Sequence, residues 1–251
     1  MNLNKWEYDL SISFNRHGPK ETLEWPLSEN WKKIAEETYS SLPNSLKWEN
    51  IYVESSPIHR TIQTADIFIK EIKKKGIKVI SFEQDERLSE GDIAHYPELA
   101  EKLWWLGWKR VKKWIERDDF DKKQFPNIKT WKEAIMWFCD RILDKINFVE
   151  KQKSKKEDDF YKIDCFTHAP LMLGFLLMIQ EKTGTNLLPK NREEDKIFNN
   201  LLKYLSSFSL HFSSLKEDVF WLEFNKNVYS IKRDIIKQIS DYLKLRISLS
   251  K

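Results

Sequence analysis

The sequence predicts an α/β domain in three layers: a mainly parallel central sheet, helices on both faces, and a helical insertion capping the site. Three observations carry that prediction. Strand-like and helix-like segments alternate through residues 8–82 and resume after residue 160. They are joined by loops in which Gly, Pro and Ser punctuate the ends of strand-like runs. Between the two blocks, residues 97–150 carry apolar side chains at helical spacing only.

Residues 8–14 alternate as a first strand, which Gly18 and Pro19 break. Ser28 stands as an N-cap before Trp31, Ile34, Ala35 and Thr38, which share one helix face, and Pro43 ends that helix. Residues 50–54 form a second strand, followed by Ser55-Ser56-Pro57 and a helix over 58–75 that closes at Gly76. Residues 77–82 form a third. In the insertion, Trp104, Trp108, Val111 and Ile115 share one helix face, and Trp131, Ile135, Phe138, Ile142 and Ile146 another, with Phe125-Pro126-Asn127 between them. Residues 151–159 read as a solvated charged loop. Residues 161–166 form a fourth strand, and 170–182 a helix with proline in its first turn. Residues 208–212 and 219–224 read as an antiparallel hairpin, and 231–245 as a closing amphipathic helix. No internal repeat divides the chain, so 1–251 is a single domain with 97–150 inserted in it.

Composition sets the outer bounds. The 43 Lys and Arg outnumber the 39 Asp and Glu by only 4, with signs interspersed, so no nucleic-acid partner is expected, whereas an anionic small substrate is tolerated. With 41% hydrophobic and 14% aromatic residues the chain is not of the disordered class. At this length folding buries roughly three quarters of the unfolded surface, enough for a core without disulfides or metal. Cys139 and Cys165 lack the paired spacing of a disulfide framework or a zinc cluster. The opening MNLNKWEYDLSISF has neither the basic nor the apolar region of a signal peptide, and the longest apolar run, 169–179, is shorter than the roughly 20 residues that span a bilayer. A reducing cytosol is the expected compartment, with no membrane partner; oligomeric state is not legible.

Chemistry concentrates at strand ends, where ligands bind in open α/β sheets. The first strand runs into Arg16, His17 and Gly18. The loop after the second leads to Arg60 on the first turn of its helix. The fourth ends in Thr167 and His168, at the start of a helix whose free N–H groups favour an anion. After the third strand, RLSEGD supplies Glu90. Two arginines, two histidines and a helix N-terminus suit a dianionic phosphoryl group, because arginine stays charged and presents a planar fork of donors.

These blocks resemble the histidine phosphatase superfamily, which includes cofactor-dependent phosphoglycerate mutase and many phosphomonoesterases. RHG at 16–18, SSPIHRTIQTA at 55–65, RLSE at 87–90 and FTHAP at 166–170 stand in the family's order, and the PLS at 26–28 fits as well. The resemblance implies that His17 is the nucleophile and forms a phosphohistidine. It also implies that Arg16, Arg60 and His168 hold the phosphoryl oxygens, with the Ala169 N–H beside them, and that Glu90 protonates the leaving group. No metal or other cofactor is implied, and the partner is a phosphorylated small molecule or phosphoprotein. The mutases follow RHG with a Ser and an Asn where this chain has Pro19, Lys20 and Leu23, which disfavours mutase activity. The second-histidine block usually reads His-Gly, whereas Ala169 and Pro170 stand here; a non-catalytic phosphate-binding module is the rival that this departure favours. His59, His95 and His211 are expected to be structural or exposed, Ser55 and Ser56 to shape the loop and cap its helix, and Trp105 or Trp114 to line the entrance.

Overall fold

The computed structural model describes residues 8–17, 27–42, 50–89, 129–153, 160–188 and 206–249. Seven strands among them form one sheet: β1 (Leu10–Arg16), β2 (Asn50–Ser55), β3 (Val79–Gln84), β4 (Tyr161–Thr167), β5 (Ser207–Phe212), β6 (Val219–Phe224) and β7 (Asn227–Lys232). Their order is β3-β2-β4-β1-β5-β6-β7. The first four are mutually parallel, with Arg16 opposite Thr167 and Ser55 opposite Phe166. The last three add antiparallel strands to the β1 edge. Because β4 inserts between β1 and β2, the parallel strands end side by side and their loops converge on one edge.

The helices are α1 (Glu29–Ser40), α2 (His59–Lys74), α3 (Trp131–Lys153), α4 (Ala169–Thr183) and α5 (Ile235–Ser248), with a 3₁₀ turn at Glu86–Leu88. Strand alternation sends side chains to two cores. Ile51, Val53 and Phe166 meet Ala35 and Tyr39 of α1 and Phe68 and Ile72 of α2. On the other face, Leu10, Ile12, Phe14, Ile163 and Cys165 meet α3, α4 and α5 through Phe138, Phe175 and Ile239. Local signals start and stop these helices. The Ser28 hydroxyl accepts from the Trp31 N–H to cap α1. Thr130 and Glu133 form a capping box at α3: the Thr130 N–H donates to Glu133 and the Glu133 N–H to the Thr130 hydroxyl. Gly76 and Gly184 take the left-handed conformation just beyond α2 and α4, at φ 76° and 70°.

One expectation is corrected, at the closing helix. The described half of the 97–150 insertion, helix α3, buries the face its spacing predicts: Ala134, Ile135, Phe138, Ile142, Ile146 and Val149 are all buried in the larger core, and the helix packs on α4 and α5. Its apolar stripe faces the sheet. The first half of that insertion, with Trp105 and Trp114, lies outside the described residues. The closing helix begins later than residue 231, because 227–232 is strand β7. Asn225 and Lys226, at φ 51° and 64°, form the two-residue turn that twisted hairpins require, and a lysine there hides the usual Asn-Gly signature.

Between α3 and the β2–β3 edge lies a buried ionic network. Glu54, 1% exposed, takes a two-pronged bond from Arg141 at 2.9 and 2.7 Å and an ion pair from Lys145. Arg141 also reaches Asp85 at 3.0 Å. Burial pushes the Asp85 carboxyl up in pKa, but hydrogen bonds from Arg87 and the charges of Arg141 and Arg87 outweigh it and hold the group below its usual value. Truncating Glu54 to Ala strands Lys145 and half of the Arg141 fork in a dry site. Urea unfolding is expected to show a loss of about 3 kcal/mol.

Candidate active site

Each loop at the carboxyl edge begins as one more rung of the sheet. The His17 N–H donates to the Thr167 carbonyl at 3.2 Å, Ser56 N–H to Phe166 O at 3.0 Å, and Asp85 N–H to Ser55 O at 2.9 Å. The side chains that follow therefore inherit the rigidity of the strands.

His17, 7% exposed, and His168, 1% exposed, bring their rings to 4.9 Å between centroids. Arg60 lies against both. Its Nε donates to His17 Nε2 at 3.1 Å, and its Nη2 is 3.3 Å from His168 Nδ1. A guanidinium has no acceptor, so His17 Nε2 carries a lone pair and the proton of the neutral ring sits on Nδ1. Arg16 closes β1 immediately before His17, its N–H donating to Ser206 O at 2.9 Å. His168 is the N-cap of α4, whose first intrahelical bond runs from Met172 N–H to His168 O at 3.2 Å. The N–H groups of Ala169 and Leu171 thus precede the helical ladder, and Pro170 has none to lose.

Arg16, His17, Arg60, His168 and Ala169 are thereby placed at one sheet edge. Glu90 and Gly18 lie outside the described residues, as does His95; His59 is exposed and His211 buried beside Glu223 at 3.2 Å. The backbone leading up to Glu90 is described. The Thr167 hydroxyl donates to Leu88 O at 2.7 Å, and Lys129 Nζ donates to Glu86 O at 2.6 Å and Ser89 O at 3.2 Å, 4.4 Å above the Trp137 ring.

Residues that sequence reasoning missed stand around these. Sequence alone makes Ser56 a residue that shapes the loop and caps its helix, yet its Oγ lies 2.8 Å from His168 Nε2 and 2.7 Å from Thr61 Oγ1. Lys129 had no sequence signal, since its targets are backbone carbonyls. Burial lowers the Lys129 pKa to about 8, against the opposing pull of Glu86, Asp85 and Glu133. The unfolded chain then binds more protons above about pH 8, so the stability Lys129 contributes rises from about pH 8 towards its ordinary value near 10.5. Below about pH 8 both states hold the proton and the burial cost is full. Wild type is expected to gain in urea midpoint relative to Lys129→Met across that window; parallel pH profiles would refute it.

The histidine phosphatase superfamily (branch 1) profile matches residues 13–187, well over half of the chain. The chain belongs to the histidine phosphatase superfamily, branch 1. A comparison with curated protein sequences returned no match. Among solved structures, this superfamily member is similar to a phosphoglycerate mutase from Bacillus anthracis str. Sterne, with TM-score 0.53 and 16% identity over 92% of this chain and 95% of the mutase. It is also similar to a mycobacterial glucosyl-3-phosphoglycerate phosphatase, with TM-score 0.50 and 14% identity over 86% of this chain and 99% of that one. At such identities the likeness speaks for the fold. The superfamily's sheet, mostly parallel at its centre and flanked by helices, is the fold found here.

Proposed function

We propose that the chain is a metal-independent phosphatase that hydrolyses a phosphomonoester through a phosphohistidine on His17. One observation carries this reading: Arg60 lies 3.1 Å from His17 Nε2 and 3.3 Å from His168 Nδ1, so one cation faces two imidazoles at the end of a sheet. A dianionic phosphoryl group entering there draws the guanidinium off His17 and frees the Nε2 lone pair. That nitrogen attacks phosphorus in line: an N–P bond forms, the ester P–O bond breaks, and the leaving oxygen takes a proton from Glu90. Water then attacks the phosphohistidine and gives a proton to the Glu90 carboxylate; a P–O bond forms and the N–P bond breaks. Arg16, Arg60, His168 and the first N–H groups of α4 spread the equatorial charge, which is most of what the protein must supply in phosphoryl transfer.

The substrate class is a phosphorylated small molecule or phosphoprotein. No helix among the described residues is long and apolar enough to cross a membrane, and both cysteines are buried free thiols, which suits the reducing cytosol in which we place the reaction. The test is turnover of an aryl phosphate after chelation of metals and without a bisphosphorylated primer, with acid-labile phosphate trapped on the protein by rapid quenching. Turnover only with primer would instead support a mutase, and phosphate binding without turnover a recognition module. For Glu90→Gln, the rate is expected to fall far more with poor leaving groups than with an activated aryl phosphate. A uniform loss would assign the proton to another group.

A further inference from the structure

A hydrogen-bond chain behind His168 has a polarity that can be worked out from both ends. At the front, Arg60 Nη2 can only donate, so His168 Nδ1, 3.3 Å away, accepts and carries the lone pair. At the back, Thr61 Oγ1 lies 2.5 Å from Ile58 O and 3.3 Å from Ser56 O. Carbonyls only accept, so the single Thr61 proton points at the backbone. Ser56 Oγ, 2.7 Å from Thr61 Oγ1, must then give its own proton to Thr61. With that proton committed, it can only accept at 2.8 Å from His168 Nε2, while also taking the Ile58 N–H at 3.4 Å. The two routes share no atom pair, yet both place the proton of the neutral ring on Nε2. Ser56 and Thr61 are 0% exposed and His168 1%, so water does not replace either hydroxyl.

We propose that Ser56 and Thr61 are positioning residues that fix His168 as its Nε2–H tautomer and aim the Nδ1 lone pair into the phosphoryl site. The consequence is chemical, and it rests on the phosphatase reading. For His168 to donate to a phosphoryl oxygen, Nδ1 must take a proton from solvent, and the ring becomes an imidazolium whose Nε2–H is still held by Ser56. Among the charged and titratable groups against it are Arg60 from α2 and His17 from the end of β1. The Arg60 charge disfavours that cation until a dianion lies between them. Ser56 stabilises it by accepting from the charged form, so its loss lowers the pH at which His168 gives up the added proton.

Nitrogen-15 NMR of the ring in the free protein reads the tautomer without any turnover. Wild type and Thr61→Ser are expected to show the Nε2–H signature, and Ser56→Ala and Thr61→Val, left with only the longer 3.3 Å Arg60 contact in place of the 2.8 Å Ser56 bond, a mixture of tautomers. Competitive inhibition by inorganic phosphate is expected to weaken about tenfold in Ser56→Ala, the worth of one buried hydrogen bond, and to be lost at lower pH than in wild type. Thr61→Ser, which keeps the hydroxyl, is expected to restore both. A wild-type Nδ1–H signature overturns the proposal, and so do unchanged tautomer and inhibition profiles in Ser56→Ala. If Ser56→Ala does not fold, Thr61→Val and the wild-type spectrum decide the same question. A protein that shows the Nε2–H signature and binds phosphate but hydrolyses no ester refutes the phosphatase reading and leaves the positioning role supported.

Discussion

Replacing His17 by Ala is expected to abolish hydrolysis of an aryl phosphate, a fall of about 10⁴-fold or more in kcat, while phosphate still binds. The size follows from the role. A nucleophile that splits one difficult step into two has no substitute in the remaining groups, and residues acting as a unit lose nearly the whole effect when one is removed. Retained binding follows from the geometry. Arg60 meets His168 through Nη2 and His17 through Nε, so deleting the His17 ring removes one contact of the guanidinium and leaves the other. Inorganic phosphate should therefore inhibit residual or rescued activity, and should raise the thermal midpoint of the variant as it does that of wild type. No acid-labile phosphate should appear on quenching. A variant that keeps more than about a hundredth of the wild-type rate would assign the nucleophile elsewhere.

The parts of this site that were legible in the sequence are those written in contiguous blocks at element ends. Arg16 and His17 follow an alternating strand, Arg60 opens a helix after Ser-Ser-Pro, and His168 sits between a β-branched, aromatic strand and Pro170. Each block reports its own place on the sheet edge, because strand period and helix spacing are local properties. What remained hidden is contact across distance. The Ser56 hydroxyl looked like a cap because capping is the local use of serine, and only the 112-residue separation closed by the fold brings it to His168. Lys129 aims at carbonyls, which every residue owns, so no side-chain pattern could announce it. The partners of α3 were hidden for a different reason. Helical spacing shows that a stripe is buried but not what it is buried against, so nothing local announces that Phe138 packs on Phe14, with 4.6 Å between ring centroids. Strand β7 was lost to its turn, where Lys226 adopts a conformation more often given to glycine or asparagine.

Arg60→Ala is expected to damage both binding and rate, and Arg60→Lys to recover little of either. The guanidinium uses two different nitrogens on two different rings, Nε on His17 and Nη2 on His168, and that spread is a property of a planar fork. An ammonium at the same place is a single point charge and can face one imidazole at a time. In the phosphatase reading the same fork turns onto the phosphoryl oxygens, so its loss removes charge from the bound dianion and more from the transition state, where charge spreads over the equatorial oxygens. We expect kcat/KM to fall about 10³-fold for Ala, with KM raised and kcat lowered together, in the range seen when one preorganised donor is removed. Phosphate should no longer raise the thermal midpoint of Arg60→Ala, although it does so for His17→Ala. That pair of outcomes separates the two roles, since the residue that binds the anion should lose ligand stabilisation while the residue that attacks it should not. Should Arg60→Lys instead hold kcat/KM within about threefold of wild type, a single positive charge would suffice, and the bridging geometry would have no part in the chemistry.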